Sequence, residues 1–96
     1  MPNIICDFCS SIPVRWRYPA ATFAVSVVVF ADDWAACDTC HELLERDDRD
    51  ALLQRSAALA PAPLTELPEG LRQAMIAPIH REFFKYRHGV GVPHVE

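Results

Sequence analysis

Four cysteines in two pairs are the residues of this chain best suited to chemistry. Cys6-Asp7-Phe8-Cys9 stands near the start, and Cys37-Asp38-Thr39-Cys40 follows after a long intervening segment. The composition holds four cysteines, so the two C-x-x-C motifs use them all. Each motif can set two sulfurs on one side of a tight turn. Four thiolates together make a tetrahedral zinc site with Zn–S distances of about 2.3 Å. The reading is one structural zinc ion held by Cys6, Cys9, Cys37 and Cys40, with no coordination position left for a substrate.

Other uses of the same residues fit less well. Disulfides need an oxidising compartment. A rubredoxin-like iron site usually carries a glycine in each knuckle, and neither knuckle here has one. Cys37-Asp-Thr-Cys40-His41 also spells the C-x-x-C-H haem-attachment sequence, but that use would leave Cys6 and Cys9 without a role. His41 is therefore expected to be a polar residue in the first turn of a helix. Thiolates held by a metal are not free for redox cycling. The remaining histidines are His80, His88 and His94, so none lies between the knuckles, where an HNH-type nuclease needs one. A zinc deaminase needs His-x-Glu ahead of its cysteines and an open metal position. No catalytic residue is expected.

The knuckles need elements to bring them together. Val14, Trp16 and Tyr18 alternate with Arg15 and Arg17, which predicts a strand with an aromatic core face. Pro19 should end it. The apolar run Phe23 to Phe30 is expected as the partner strand, followed by a turn at Asp32-Asp33 and by Trp34 packed near the metal. The run from Ala20 to Ala31 is too short to span a bilayer. After Cys37 the pattern turns helical, which places the second knuckle at a helix N-terminus, where thiolates are favoured. Asp47 or Asp48 can cap a second helix from Arg49 onward. Pro61-Ala62-Pro63 reads as a linker. Leu71, Met75, Ile79 and Phe83 recur at helical spacing with Ile76 and Tyr86 alongside, so the last helix is amphipathic. Pro68 suits its first turn and Pro78 predicts a kink or break near residues 74–78. Lys85, Arg87 and His88 suit its last turn, and Gly89 suits its C′ position.

The domain plan is a zinc-binding domain over residues 1–60, a linker over 61–68, the amphipathic helix over 69–89 and a flexible tail over 90–96. A hydrophobic fraction of 51% with 23% charged residues describes a globular chain. The formal net charge of −4 disfavours a general nucleic-acid binder, since phosphate binding is largely electrostatic. The start, Met-Pro-Asn-Ile-Ile-Cys, lacks a basic, signal-like region, so a cytoplasmic location is expected and no membrane association.

Knuckle, hairpin, then a knuckle opening a helix is the order of a treble-clef zinc finger, and residues 1–50 resemble that group. Cys6-Asp-Phe-Cys9, Trp16-Arg-Tyr-Pro19 and Trp34-Ala-Ala-Cys-Asp-Thr-Cys-His41 are also similar to small actinobacterial four-cysteine zinc-finger proteins. The resemblance implies an α+β zinc-stabilised fold. It implies no single function, because treble clefs serve in nucleases, ribosomal proteins, adaptors and regulators alike. The expected role is protein–protein interaction as an adaptor or regulator. Homodimerisation through Leu71, Met75, Ile79 and Phe83 is one form it can take. The competing expectation is a nucleic-acid-binding or transcriptional regulatory protein, with Arg15-Trp16-Arg17-Tyr18 as the contact strand. Against it, Trp16 and Tyr18 belong to the core face, and the arginines are placed to screen an anionic metal centre. The basic stretch His80, Arg81, Lys85, Arg87 and His88 reads as a solvated helix face.

Overall fold

The alternation beginning at Val14 does form a strand, β1 (Trp16–Pro19), with Tyr18 fully buried and Arg15 and Arg17 exposed. The computed structural model describes residues 5–25, 28–30, 33–87, 89 and 91–93. The partner of β1 is not the apolar run after it. That run pairs with itself, β2 (Phe23–Val25) lying antiparallel to β3 (Val28–Phe30) in the register Phe23↔Phe30. The strand beside β1 is β4 (Asp33–Ala36), with Trp16 opposite Ala36 and Tyr18 opposite Trp34. Asp33 is thus the first residue of a strand rather than part of a turn; Asp32 lies outside the described residues.

The aromatic rings account for this exchange of partners. Self-pairing stacks Phe23 on Phe30 at 5.3 Å, and both lie flat against Trp34, at 5.8 and 5.5 Å. Phe23 also stacks on Tyr86 at 5.8 Å. A straight strand from 23 to 30 would put these two phenylalanines on opposite faces, because they are an odd number of residues apart. Folding back puts them on one face.

The helices follow from their caps. α1 (Asp38–Glu45) starts at Cys37 and ends in a Schellman motif. Asp48 N donates to Leu43 O at 2.9 Å and Asp47 N to Leu44 O at 3.1 Å, with Asp47 left-handed at φ 55°. Asp48 then caps α2 (Arg49–Ala58) through Oδ1, which accepts from Ala51 N at 3.2 Å. The stretch expected as a linker contains a 3₁₀ turn, Leu64–Glu66. Pro68 is the residue just before α3 (Glu69–Tyr86), and its carbonyl accepts from Leu71 N and Arg72 N at 3.0 Å each.

α3 runs through Pro78 without the expected break. An interior proline costs about 3 kcal/mol. Here the turns beyond it are held by burial of His80 and Phe83 and by packing of Ile79 and Phe84 on the core. The helix packs on α2 and β2 and is part of the same core as the cysteine knuckles. Phe83 touches Trp34 and Phe8 at ring separations of 4.9 and 5.0 Å. Such ring pairs contribute about 0.5–1.5 kcal/mol each beyond area burial.

Beyond α3, Arg87 is the capping residue and donates from its guanidinium to Gly89 O at 2.9 Å. Gly89 is left-handed at φ 76°, one position later than the expected C′ site. The tail is not wholly loose: β5 (Val92–Pro93) pairs with the free edge of β1, Arg17 opposite Val92. Gly91 makes the approach possible, since a Cβ there would lie 2.6 Å from Tyr18 Cζ. His88, Val90 and residues 94–96 lie outside the described residues.

Asp48→Ala removes the cap of α2 at the point where it joins α1. The expected loss is about 1 kcal/mol of stability, read from denaturant unfolding of the metal-loaded protein. Asp50→Ala, within the first turn but not at the cap, should cost less.

Candidate metal centre

Each knuckle is shaped by its own backbone. In the first, Ser10 N donates to Cys6 O and Cys6 N to Ser11 O, both at 2.9 Å, and Ser10 takes a left-handed φ of 67°. This closes a tight turn that points Cys6 and Cys9 the same way. In the second, Cys37 is the N-cap of α1, and its Sγ accepts from Cys40 N at 3.5 Å. The helix N-terminus supplies the free N–H groups and positive dipole end that favour a thiolate.

β4 joins the two knuckles. Asp7 N donates to Ala35 O at 2.9 Å, and Ala35 N donates to Asp7 Oδ2 at 2.6 Å. The first knuckle is thereby clamped to the strand that runs directly into Cys37. All four expected ligands come together: the Sγ atoms of Cys6, Cys9, Cys37 and Cys40 lie within 4.8 Å of one another, and all four side chains are buried. Cys9 Sγ and Cys37 Sγ are 3.6 Å apart, and none of the four is in a disulfide. A tetrahedron with 2.3 Å Zn–S bonds has sulfurs about 3.8 Å apart. The cluster therefore suits a metal ion, and its geometry and ligand chemistry match zinc.

The thiols resist sharing charge by themselves. Hydrogen bonds to Cys6 and Cys9, followed by burial, push the Cys40 thiol far above its ordinary range. Hydrogen bonds from Cys40 and Cys6 pull Cys9 far below it. A divalent cation removes this conflict by favouring all four thiolates at once.

The cation nearest the sulfurs is one the sequence reading missed. Arg15 pairs with Asp38 at 3.1 Å and Arg17 with Asp33 at 2.9 Å, both at the surface. It is Arg55 of α2 that reaches Cys37, its guanidinium 3.9 Å from Sγ. The signal was present: Arg55 follows buried Leu52 by three residues, which puts the two on neighbouring positions of one helical face.

His41 is more than a polar residue in a first turn. Its ring stacks on Trp16 at 3.6 Å with 5° between planes, and Trp16 Nε1 donates to Asp38 Oδ1 at 3.0 Å. The Tyr18 hydroxyl donates to Glu45 Oε2 at 2.7 Å. It then accepts from His41 Nδ1 at 2.8 Å, since its one proton is engaged by the carboxylate. Burial and then Glu45 push the Tyr18 phenol up, and the Tyr18 hydrogen bond holds the Glu45 carboxyl down. This network locks α1, and so the second knuckle, onto β1. Of the basic stretch in α3, His80 is buried, Arg81 and Lys85 are exposed, and Lys85 Nζ lies 5.3 Å from the Tyr86 ring centre.

In comparison with known proteins, no family model, no curated protein and no solved structure matches this chain.

Chelation of the metal should unfold the protein, because a structural zinc contributes on the order of 10–16 kcal/mol and a small domain has about 5–15 kcal/mol in all. Circular dichroism before and after chelator reads this directly. Arg55→Met should keep the fold but weaken zinc binding by about 10–100-fold, the usual effect of losing a partner of a metal ligand, measured by competition with a chromogenic chelator.

Proposed function

We propose that the chain is a structural zinc protein of treble-clef type that acts as a protein–protein adaptor or regulator, and that it performs no catalysis. Knuckle, antiparallel strands and a second knuckle at the start of α1 follow in treble-clef order, which supports the fold reading. A buried four-thiolate centre is closed to substrate, which supports a structural role for the metal. No helix among the described residues is long and apolar enough to cross a membrane. A reducing, cytoplasmic setting belongs to the same proposal, because it keeps the thiols available to zinc.

The observation that carries the adaptor reading is on α3. Leu71 and Met75 are each 48% exposed, on the face that leads down to half-buried Ile79 and fully buried Phe83. Phe83 belongs to the chain's own core, so it holds the helix in place. Leu71 and Met75 then project outward, where a partner protein or a second copy of the chain can cover them. The competing nucleic-acid reading is weakened by the ion pairs that engage Arg15 and Arg17.

Leu71→Glu combined with Met75→Glu should abolish association while leaving zinc content and folding unchanged. Arg15→Ala with Arg17→Ala should leave association intact. Capture from the native host with each variant as bait, together with sedimentation of the purified chain, tests both. Salt-dependent binding to DNA or RNA that survives the glutamates and fails in the arginine variant would overturn the reading.

A further inference from the structure

The C-terminal strand and the second cysteine knuckle are tied to the same side chains. Gly91 N donates to Glu45 Oε2 at 3.4 Å, the oxygen that also receives the Tyr18 hydroxyl at 2.7 Å. Glu45 is the last residue of α1. The Tyr18 hydroxyl accepts from His41 Nδ1 at 2.8 Å, and His41 N donates to Cys37 O at 2.8 Å. His41 follows Cys40 directly in the chain. β5 pairs with Trp16 and Arg17, and Trp16 stacks on the His41 ring. A continuous line of contacts therefore runs from the tail, through Glu45 and Tyr18, to the turn of α1 that holds Cys37 and Cys40.

The two ends of this line are held unequally. Tyr18 is fully buried and its hydroxyl has a partner on each side, so its ring has nowhere to move. The tail is held lightly. β5 is two residues long, Pro93 has no N–H to give, and the Gly91 bond is long for a hydrogen bond. Exposed segments with so few bonds open before the rest of a fold. The seat has no room for a side chain: a Cβ on Gly91 would lie 2.6 Å from Tyr18 Cζ and 2.9 Å from its hydroxyl oxygen. Arg87 braces the turn into it, donating to Gly89 O with its guanidinium 5.3 Å from the Tyr18 ring centre.

We propose that, with zinc held by the four cysteines as the structural-zinc reading requires, this tail is a latch on the metal centre. Docked, Gly91 shares Glu45 with Tyr18 and helps to hold α1 against β1. Lifted, it gives up that bond and lets water compete for the Tyr18 hydroxyl, Glu45 and His41. α1 is then held less firmly, and the second knuckle is the part of the centre that α1 carries. A competing ligand takes the metal only when a knuckle parts from it. Retention of the metal is thus set at the tail.

The test is transfer of zinc from the full chain to a chromogenic chelator, after the zinc content of the parent has been measured. Gly91→Ala forces the tail off Tyr18 and should speed transfer about tenfold, the weight of one hydrogen bond to a charged group. Hydrogen exchange should quicken at the amides of α1 and not at those of α2. Arg81→Gly, at an exposed site inside α3, lowers stability without touching the latch and should leave the transfer rate unchanged. Tyr18→Phe keeps the ring and cuts the relay, so it should also speed transfer. Adding Gly91→Ala to it should give less than the product of the two effects. An unchanged rate in Gly91→Ala would overturn the proposal. So would equal acceleration by Arg81→Gly, the mark of release through global unfolding, or two effects that simply multiply. A parent chain that holds no zinc overturns the structural-zinc reading itself, and the latch with it. If Tyr18→Phe does not fold, the comparison of Gly91→Ala with Arg81→Gly still decides.

Discussion

Four cysteine sulfurs within 4.8 Å of one another cannot all carry charge unless a cation sits among them. The thiols at this centre are already driven apart in proton affinity, Cys40 upward and Cys9 downward, by their bonds to one another. A metal ion bound there would replace that mutual repulsion with attraction to all four thiolates. The two knuckles come from distant parts of the chain, so the same attraction would close the loop that contains β1 to β4. Everything around the centre serves to aim sulfurs: the tight turn at Ser10, the clamp between Asp7 and Ala35, and the helix that starts at Cys37.

From that centre the fold is built outward in rings. Phe8 sits inside the first knuckle and touches Trp34 at 5.1 Å and Phe83 at 5.0 Å. Metal site, sheet and C-terminal helix are therefore joined by one aromatic cluster rather than by separate cores. This explains why α3 tolerates Pro78 and why the tail after it returns to the edge of β1. A chain of this size has little core to spare. Joining α3 to the half that carries the cysteine centre enlarges the buried unit and leaves Leu71 and Met75 outside it.

Local chemistry was legible in the sequence, and the choice among distant partners was not. The cysteine pairs are readable because ligand type and spacing are short-range properties. So are the inward face of Trp16 and Tyr18, and a cap at Asp47 or Asp48, two carboxylates just ahead of a helix former run, of which Asp48 serves. The partner of β1 was missed because two candidate strands followed it, and the more apolar one was the more conspicuous. What decided between them was the stacking of Phe23, Phe30 and Trp34, a three-body arrangement that no alternation pattern encodes. β5 was missed for a similar reason: its docking depends on Gly91 passing against the Tyr18 ring. Arg55 and His41 were each readable as to helix face. Their partners, Cys37 and the Trp16–Tyr18 pair, become neighbours only after the strands pair.

The central claim is that one zinc ion, bound by Cys6, Cys9, Cys37 and Cys40, organises this fold. X-ray absorption at the zinc edge, on protein purified without added metal, tests it most directly. The account predicts about one zinc per chain with four sulfur neighbours at about 2.3 Å. A first shell containing nitrogen or oxygen, or a folded chain with no metal and its cysteines paired as disulfides, would contradict it.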